Sequence, residues 1–345
     1  MHGNVDVELI EDAGFTLVEL AFGSKEYTNE LARANMCGVC IKVATQSNNA
    51  LIEAARFASE KDCYIVLDTR EIADEELLFQ YVSEAGVYLA EKQIPIYIEN
   101  GYIQKNGKYT YGAYSDAEEL IGACNELEKR YPGIQVGAAI DIGNANVLSK
   151  NIADMIMQLG SRLKLIHVND NDGGNCQRQM PFTFTMGRGH MATDWNHILG
   201  ALMKTCYDGY FIFNTTGLYD VMPKPLIPEM LRLQKALADR FEKQFHFEDV
   251  LAQEGKQIVL FGAGAMATNY MKTWGEKYPP VFVVDNNAKR WGESFYETEI
   301  KSPDEIMRLD QNKRLVLICN SFYNEIRKQL TQMGVAYEYY NDEFY

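Results

Sequence analysis

The sequence predicts an α/β protein in two parts, a (β/α) barrel followed by a small doubly wound domain. Strand-like apolar runs alternate with helical segments from residue 15 to residue 241, and the helices are long enough to be crossovers, which makes the strands parallel. The runs are apolar on both faces: Ile94, Ile96 and Ile98 alternate with Pro95 and Tyr97. Successive runs then stop at a polar residue, at Glu99, Asp141, His167 and Asn214. Parallel α/β folds bind their ligands beyond these C-terminal strand ends.

Residues 5–13 read as a short helix closed by Gly14, and 15–21 as a strand carrying Glu19. A helix over 29–35 leads to a strand over 39–44. Asn48 or Asn49 caps the next helix, and 64–68 is a strand. Leu77, Leu78, Tyr81, Val82, Ala85 and Leu89 have helical spacing, which predicts one helix over 74–93 ahead of the strand that ends at Glu99. Residues 101–114 form a hairpin or loop with Asn106-Gly107 as the turn. Ser115 opens a capping box, Ser-Asp-Ala-Glu, and Pro132-Gly133 ends the helix behind it. Strands over 134–141, 163–168 and 210–214 then alternate with helices over 152–159, 194–204 and 225–241, and 169–190 is a long polar loop. The chain starts on a helix, so the barrel is expected to lack its first strand.

A chain of 345 residues fits two domains, placed at 1–245 and 255–345 across the polar stretch 246–256. The formal net charge of -15, with no basic patch, excludes a nucleic-acid partner and an anionic membrane surface. No apolar run approaches the roughly 20 residues that span a bilayer. The polar, acidic first residues do not read as a signal peptide. Seven cysteines without such a signal read as reduced thiols in a cytoplasmic protein. Cys37-Gly-Val-Cys40 has no second pair to complete a zinc site and reads as small core residues.

Glu99, Asp141 and His167 converging at one barrel mouth suit a divalent metal such as Zn²⁺ or Mn²⁺. The ordered set Ile96-Tyr-Ile-Glu-Asn100, Ala139-Ile-Asp-Ile-Gly-Asn144, Leu165-Ile-His-Val-Asn-Asp170 and Gly187-Arg-Gly-His-Met-Ala-Thr-Asp194, with Glu19 on an early strand, resembles the sugar-phosphate isomerase/epimerase superfamily of xylose isomerase-like TIM barrels. The resemblance covers roughly residues 5 to 241. It implies a metal held by Glu, Asp, His and Glu from four strands. Glu99, Asp141 and His167 match the first three; the fourth position carries Asn214, whose amide oxygen can ligate but whose amide takes no proton at neutral pH. Asn144 stands where the family has a histidine. Both departures remove basic groups and weaken the case for two-base epimerisation, leaving Glu99 as the candidate base. Glu19, Asn144, Asp170, Arg178 and Arg188 are the candidate substrate-binding residues, and Asp170 is a candidate to orient His167. Endonuclease chemistry of the same superfamily needs more histidines than the five present.

In the second part, strands over 257–261, 281–284, 315–319 and 335–340 alternate with helices over 268–274, 303–309 and 323–333. Gly262-Ala-Gly264 follows a strand and opens a helix, and Asp285 ends the next strand about 20 residues on, the Rossmann-like context in which a helix N-terminus takes a pyrophosphate and the acid a ribose. Val-Leu-Phe-Gly-Ala-Gly, Val-Val-Asp-Asn-Asn and Leu-Ile-Cys-Asn-Ser resemble the small nucleotide-binding modules of sugar-modifying proteins. That resemblance implies NAD or a nucleotide-sugar at Gly262, Gly264 and Asp285; a degenerate module used for packing is the alternative. The tail 337–345, rich in tyrosine and acid, can pack on the barrel or on a second subunit of a homo-oligomer. The functions left open are a metal-dependent isomerase or epimerase of a sugar or sugar phosphate, a non-catalytic carbohydrate or nucleotide-sugar binding protein, and an NAD-linked oxidoreductase.

Overall fold

The apolar runs of the first part become the strands of one parallel sheet: β1 (Val18–Ala21), β2 (Met36–Lys42), β3 (Tyr64–Asp68), β4 (Ile96–Glu99), then, after a separate hairpin of β5 (Ile103–Lys105) and β6 (Lys108–Thr110), β7 (Val136–Asp141), β8 (Leu163–Val168) and β9 (Tyr210–Phe213). The computed structural model describes residues 7–22, 36–44, 48–184 and 193–341, and divides into two compact units, Met1–Glu242 and Lys243–Tyr345. Sheet order in the first unit is β1-β2-β3-β4-β7-β8-β9, the sequence order expected of a barrel. The sheet curls until it is nearly closed: His167 on β8 reaches Glu19 on β1, and the Tyr210 ring on β9 packs 4.5 Å from that of Tyr64 on β3. Among the described residues no strand precedes Val18; residues 1–6 and the expected helix over 29–35 lie outside them. No helix among the described residues is long and apolar enough to cross a membrane.

Side chains alternate faces along a strand, so one interior residue fixes the parity of its neighbours. Tyr64, Val66, Tyr97, Ala139 and Leu165 fill the barrel interior, with Cys40 and Ile212 against them. Counting on by twos puts Asp68, Glu99, Asp141, His167 and Asn214 on the same inner face, each at or just past its strand's C-terminal end. Register brings them level: Asp68 pairs with Glu99 and Asp141 with His167. The sequence therefore delivers its polar strand ends to one mouth by period alone.

Several local elements differ from expectation. The helix over 74–93 is two helices, Glu76–Ser83 and Gly86–Lys92. The break seats Gly86 against the Tyr131 ring, where a Cβ would lie 2.6 Å from ring carbons. Asp116, not Ser115, caps the helix Ala117–Arg130, in a capping box with Glu119. Asp141 itself caps a short helix, Ile142–Val147, absent from the sequence reading. The hairpin turn is as expected, with Asn106 and Gly107 both at positive φ (51° and 73°). Residues 303–308 form a 3₁₀ rather than an α-helix.

The second unit holds β10 (Gln257–Phe261), β11 (Phe282–Val284), β12 (Ser294–Phe295), β13 (Thr298–Lys301), β14 (Arg314–Ile318) and β15 (Tyr337–Tyr339), in sheet order β12-β13-β11-β10-β14-β15. It is a mixed sheet, because β12 pairs antiparallel with β13. The sequence reading has neither strand. Their turn, Tyr296-Glu297, has both residues at positive φ (48° and 66°) without the glycine or asparagine that announces such turns. Separate apolar clusters cover the two faces, one around Leu260, Tyr270 and Leu317 and the other around Val259, Phe261 and Ile326.

Gly38 on β2 faces the Tyr64 ring, and a Cβ there would sit 2.0 Å from a ring carbon. Gly38→Ala is expected to cost about 1–3 kcal/mol by overpacking, and a Gly38→Ala/Tyr64→Leu double variant to recover part of that loss. Denaturant unfolding of the parent and the two variants checks this; a Gly38→Ala protein as stable as the parent would contradict the packing.

Candidate active site

The mouth of the barrel opens into a cavity of about 220 Å³ whose polar lining comes from Glu19, Asp68, Glu99, His167, Arg178 and Asn214, among others. That volume lies below the ~300–1,000 Å³ of drug-sized pockets and suits a small metabolite. At its centre His167 lies between two carboxylates. Nδ1 makes a short contact with Glu99 Oε1, and Nε2 lies 2.7 Å from Glu19 Oε1. Tyr64 OH, rising from the packed interior, donates to the other Glu19 oxygen at 2.9 Å. All these side chains are buried.

Electrostatics follow from that burial. Desolvation opposes the charge on His167, but Glu19 and Glu99 outweigh it and hold the imidazole well above its ordinary pKa. Desolvation likewise pushes Glu19 up, and His167 beside it brings the carboxyl below the usual value. Glu99 ends on the other side. Burial raises it, the Asp141 and Asp68 carboxylates add to the rise, and His167 only partly offsets them. The two glutamates that flank one imidazole are thus pushed apart, the arrangement that separates acid and base roles.

Asp141 is fixed by amides. The Asn144 backbone N–H and Asn169 Nδ2 both donate to Oδ1 at 2.9 Å, and Asn214 Nδ2 donates to Oδ2 at 3.2 Å. Asn100 brackets the backbone, accepting from the Asp141 N–H at 2.6 Å and donating to its carbonyl at 3.2 Å. Gly143 is required beside them, since a Cβ would fall 2.0 Å from Asn169 Oδ1.

Glu99, Asp141 and His167 each offer a ligand atom within 4.8 Å of the others, all three residues being buried. Carboxylate oxygens and an imidazole nitrogen suit Zn²⁺ or Mn²⁺. The upward push of Asp141 and Asp68 on Glu99 marks crowded negative charge that a cation relieves. The residues present therefore fit a divalent metal, with three protein donors and room for substrate oxygens. Asn214 lines the cavity, but its amide oxygen accepts from Arg178 Nη1 at 3.3 Å while its nitrogen serves Asp141.

The other expected residues divide. Glu19 and Arg178 line the cavity. Asn144 is fully buried behind Asp141 and donates to the Asn100 carbonyl at 3.0 Å. Asp170 does not orient His167, whose two nitrogens are taken by glutamates. It fastens the following loop instead, accepting from Thr193 Oγ1 at 2.8 Å and from the Asn171 N–H at 2.9 Å. Arg188 lies outside the described residues. In the second unit, Gly262 adopts φ +108°, and a Cβ there would sit 2.8 Å from the Cys319 carbonyl. Gly264 precedes the helix Ala265–Thr273. The Asp285 carboxylate accepts from the Ala263 and Asn287 N–H groups at 3.1 and 2.8 Å, so both oxygens tie down backbone.

The sequence reading passed over Asp68 and Arg70. Asp68 ends β3 just as Glu99 ends β4, so the rule that found Glu99 applied to it unchanged. The Arg70 side chain turns back onto it, donating Nε to both carboxylate oxygens at 3.0 Å and Nη2 to Oδ2 at 2.5 Å. Burial would raise Asp68, but Arg70 outweighs it and holds the carboxyl below its ordinary value.

Residues 7–237 match the family described as Xylose isomerase-like TIM barrel, and residues 254–339 match the family described as C2185-like, N-terminal. Among solved structures, a D-allulose 3-epimerase from Methylomonas sp. is 15% identical with a TM-score of 0.51, over 68% of this chain and 90% of that one. An L-ribulose 3-epimerase is 11% identical with a TM-score of 0.51, over 72% of this chain and 92% of that one. At these identities the likeness is one of fold. No curated protein sequence matches the chain.

Arg70→Ala leaves the Asp68 carboxylate buried without its partner and is expected to cost about 3 kcal/mol at neutral pH. The paired Asp68 contributes stability above its ordinary pKa of 3.8 that is lost as pH falls through its lowered folded value. Unpaired, the same buried carboxyl is raised and gains from protonation, so the gap between variant and parent narrows on acidification. Urea unfolding at pH 7 and at mildly acid pH reads this; a gap that widens toward acid refutes it.

Proposed function

The chain belongs to the xylose isomerase-like TIM barrel family, and on that premise we propose that its barrel is a metal-dependent isomerase of a sugar or sugar phosphate. The observation that carries the reading is the buried convergence of Glu99, Asp141 and His167. The two similar solved structures bear the names of 3-epimerases of D-allulose and L-ribulose, which favours a small sugar as substrate.

In this reading Glu99, Asp141 and His167 hold a divalent cation, which when bound supplies Lewis acidity to a substrate carbonyl. Glu19 accepts from His167 Nε2–H. That bond selects the tautomer whose Nδ1 is free to ligate and fixes the ring plane. Glu99 is the proton carrier in this reading, a carboxylate that keeps one oxygen for a proton when the other ligates. It removes a proton from the carbon beside the carbonyl and returns it to the former carbonyl carbon, while the hydroxyl proton passes from one substrate oxygen to the other. Asn214 occupies the position opposite, and its amide accepts no proton. The proposal is therefore one-base aldose–ketose isomerisation rather than two-base epimerisation.

The second unit we read as a Rossmann-like module. Its parallel strands run β13-β11-β10-β14-β15, which is third-second-first-fourth-fifth in chain order and supports that assignment. The engagement of both Asp285 oxygens by backbone argues against a ribose there, so the dehydrogenase reading is not taken up.

Titration calorimetry of metal-depleted protein with Zn²⁺ and with Mn²⁺ tests the barrel. One of the two is expected to bind at a single site, about 100-fold more weakly or worse in Glu99→Gln. Affinity should rise with pH through and above the ordinary imidazole range, because the ligating nitrogen must be unprotonated and His167 holds its proton tightly. Absence of binding by both metals would remove the proposal.

A further inference from the structure

Arg178 is placed with unusual care. It has φ +51°, in the left-handed region that a non-glycine residue occupies only under constraint. The constraints are on both sides. Asp170 and Gln179 exchange backbone hydrogen bonds, each 2.9 Å, so the loop doubles back at this point. The Cys176 N–H donates to Tyr109 OH at 3.2 Å. Gly217 packs on the loop so closely that a Cβ would lie 1.9 Å from the Gln177 carbonyl oxygen. What this bracing delivers is a guanidinium in the cavity lining beside Glu99, His167 and Asn214.

Among the described residues no carboxylate lies within ion-pair distance of that guanidinium, and its one side-chain hydrogen bond is the 3.3 Å donation to the neutral Asn214 amide oxygen. Arg70, by contrast, is fully matched by Asp68. The groups Arg178 feels most are Arg70, then Asp141, the Cys176 thiol and Glu99. Those two carboxylates are the ones assigned above to a cation. Once they hold it, Arg178 faces positive charge on more than one side, with most of its five N–H donors unused. A planar fork of donors in that position is matched by an oxyanion.

Resting on the isomerase reading, we propose that the substrate is an acidic sugar derivative, carrying a carboxylate or a phosphate that Arg178 binds in the cavity it shares with Glu99. A cavity of about 220 Å³ suits a small monosaccharide derivative. Arg178 then serves specificity: it anchors the anionic end so that the carbonyl end reaches Glu99. A neutral sugar leaves the guanidinium unmatched.

Calorimetric titration of the full-length protein at low ionic strength, with inorganic phosphate, glycolate and the neutral polyol xylitol, tests this. Either anion should bind about tenfold or more tightly than xylitol, and Arg178→Gln should weaken the anion by about tenfold or more while leaving xylitol unchanged. Arg178→Lys, which keeps the charge and loses the fork, should fall between. Preference for phosphate assigns a sugar phosphate, and preference for glycolate a sugar acid. Anion affinity no better than that for xylitol, or unchanged in Arg178→Gln, overturns the proposal. Thermal melts report whether each variant folds; if Arg178→Gln does not, Arg178→Lys and the parent's anion-to-polyol ratio carry the decision. The Zn²⁺ and Mn²⁺ titrations are read separately, so metal binding without anion binding sinks this inference and spares the isomerase reading.

Discussion

The barrel's chemistry depends on one buried interaction, the imidazole of His167 held between Glu19 and Glu99. Its three residues come from β1, β4 and β8, and β1 and β8 lie near opposite ends of the sheet order, so the clasp exists only when the sheet has curled. Burying two carboxylates is costly unless each finds a partner. Here one aromatic ring partners both, and Tyr64 secures the outer oxygen of Glu19 from beneath. A cation in the same place would take over the ring's work on Glu99 and leave its bond to Glu19 intact. Proton and metal are thus alternative occupants of one electrostatic need.

Much of this was legible because strands have a period of two. A parallel sheet turns that period into a list of residues at one mouth, and apolar runs ending in Glu99, Asp141 and His167 announce themselves. The same logic reaches Asp68, whose run, Tyr64 to Asp68, ends in an acid just as the run before Glu99 does. Arg70 and Arg178 were harder for a physical reason. Their roles come from how a loop folds back, and nothing local distinguishes an arginine matched by Asp68 from one left without a carboxylate. The role of Asp170 was misjudged on the same ground: nearness in sequence to His167 suggested a contact that glutamates from distant strands already occupy. The fourth family position, Asn214, could be read as a substitution but not as what it is, an amide spanning Arg178 and Asp141.

In the second unit the parallel strands could be read from their apolar cores, and the β12–β13 pair could not. Two-residue strands bury too little to leave a pattern, and their turn places Tyr296 and Glu297 in conformations that their side chains do not advertise. The glycine turn followed by Asp285 was visible, yet its meaning changed with the structure. An acid at that spacing can face a ribose or brace the turn, and only the hydrogen bonds to Ala263 and Asn287 distinguish the two.

The wall behind Asp141 is built from amides: Asn100, Asn144 and Asn169, with Asn214 at its edge. An asparagine and an aspartate have nearly the same shape and differ by one terminal atom. Each amide nitrogen in that wall donates to a carboxylate or a carbonyl, so an aspartate in its place would keep the shape and lose the bond. The wall thus admits one negative charge, that of Asp141, and a second acid among these amides would set two buried carboxylates against each other.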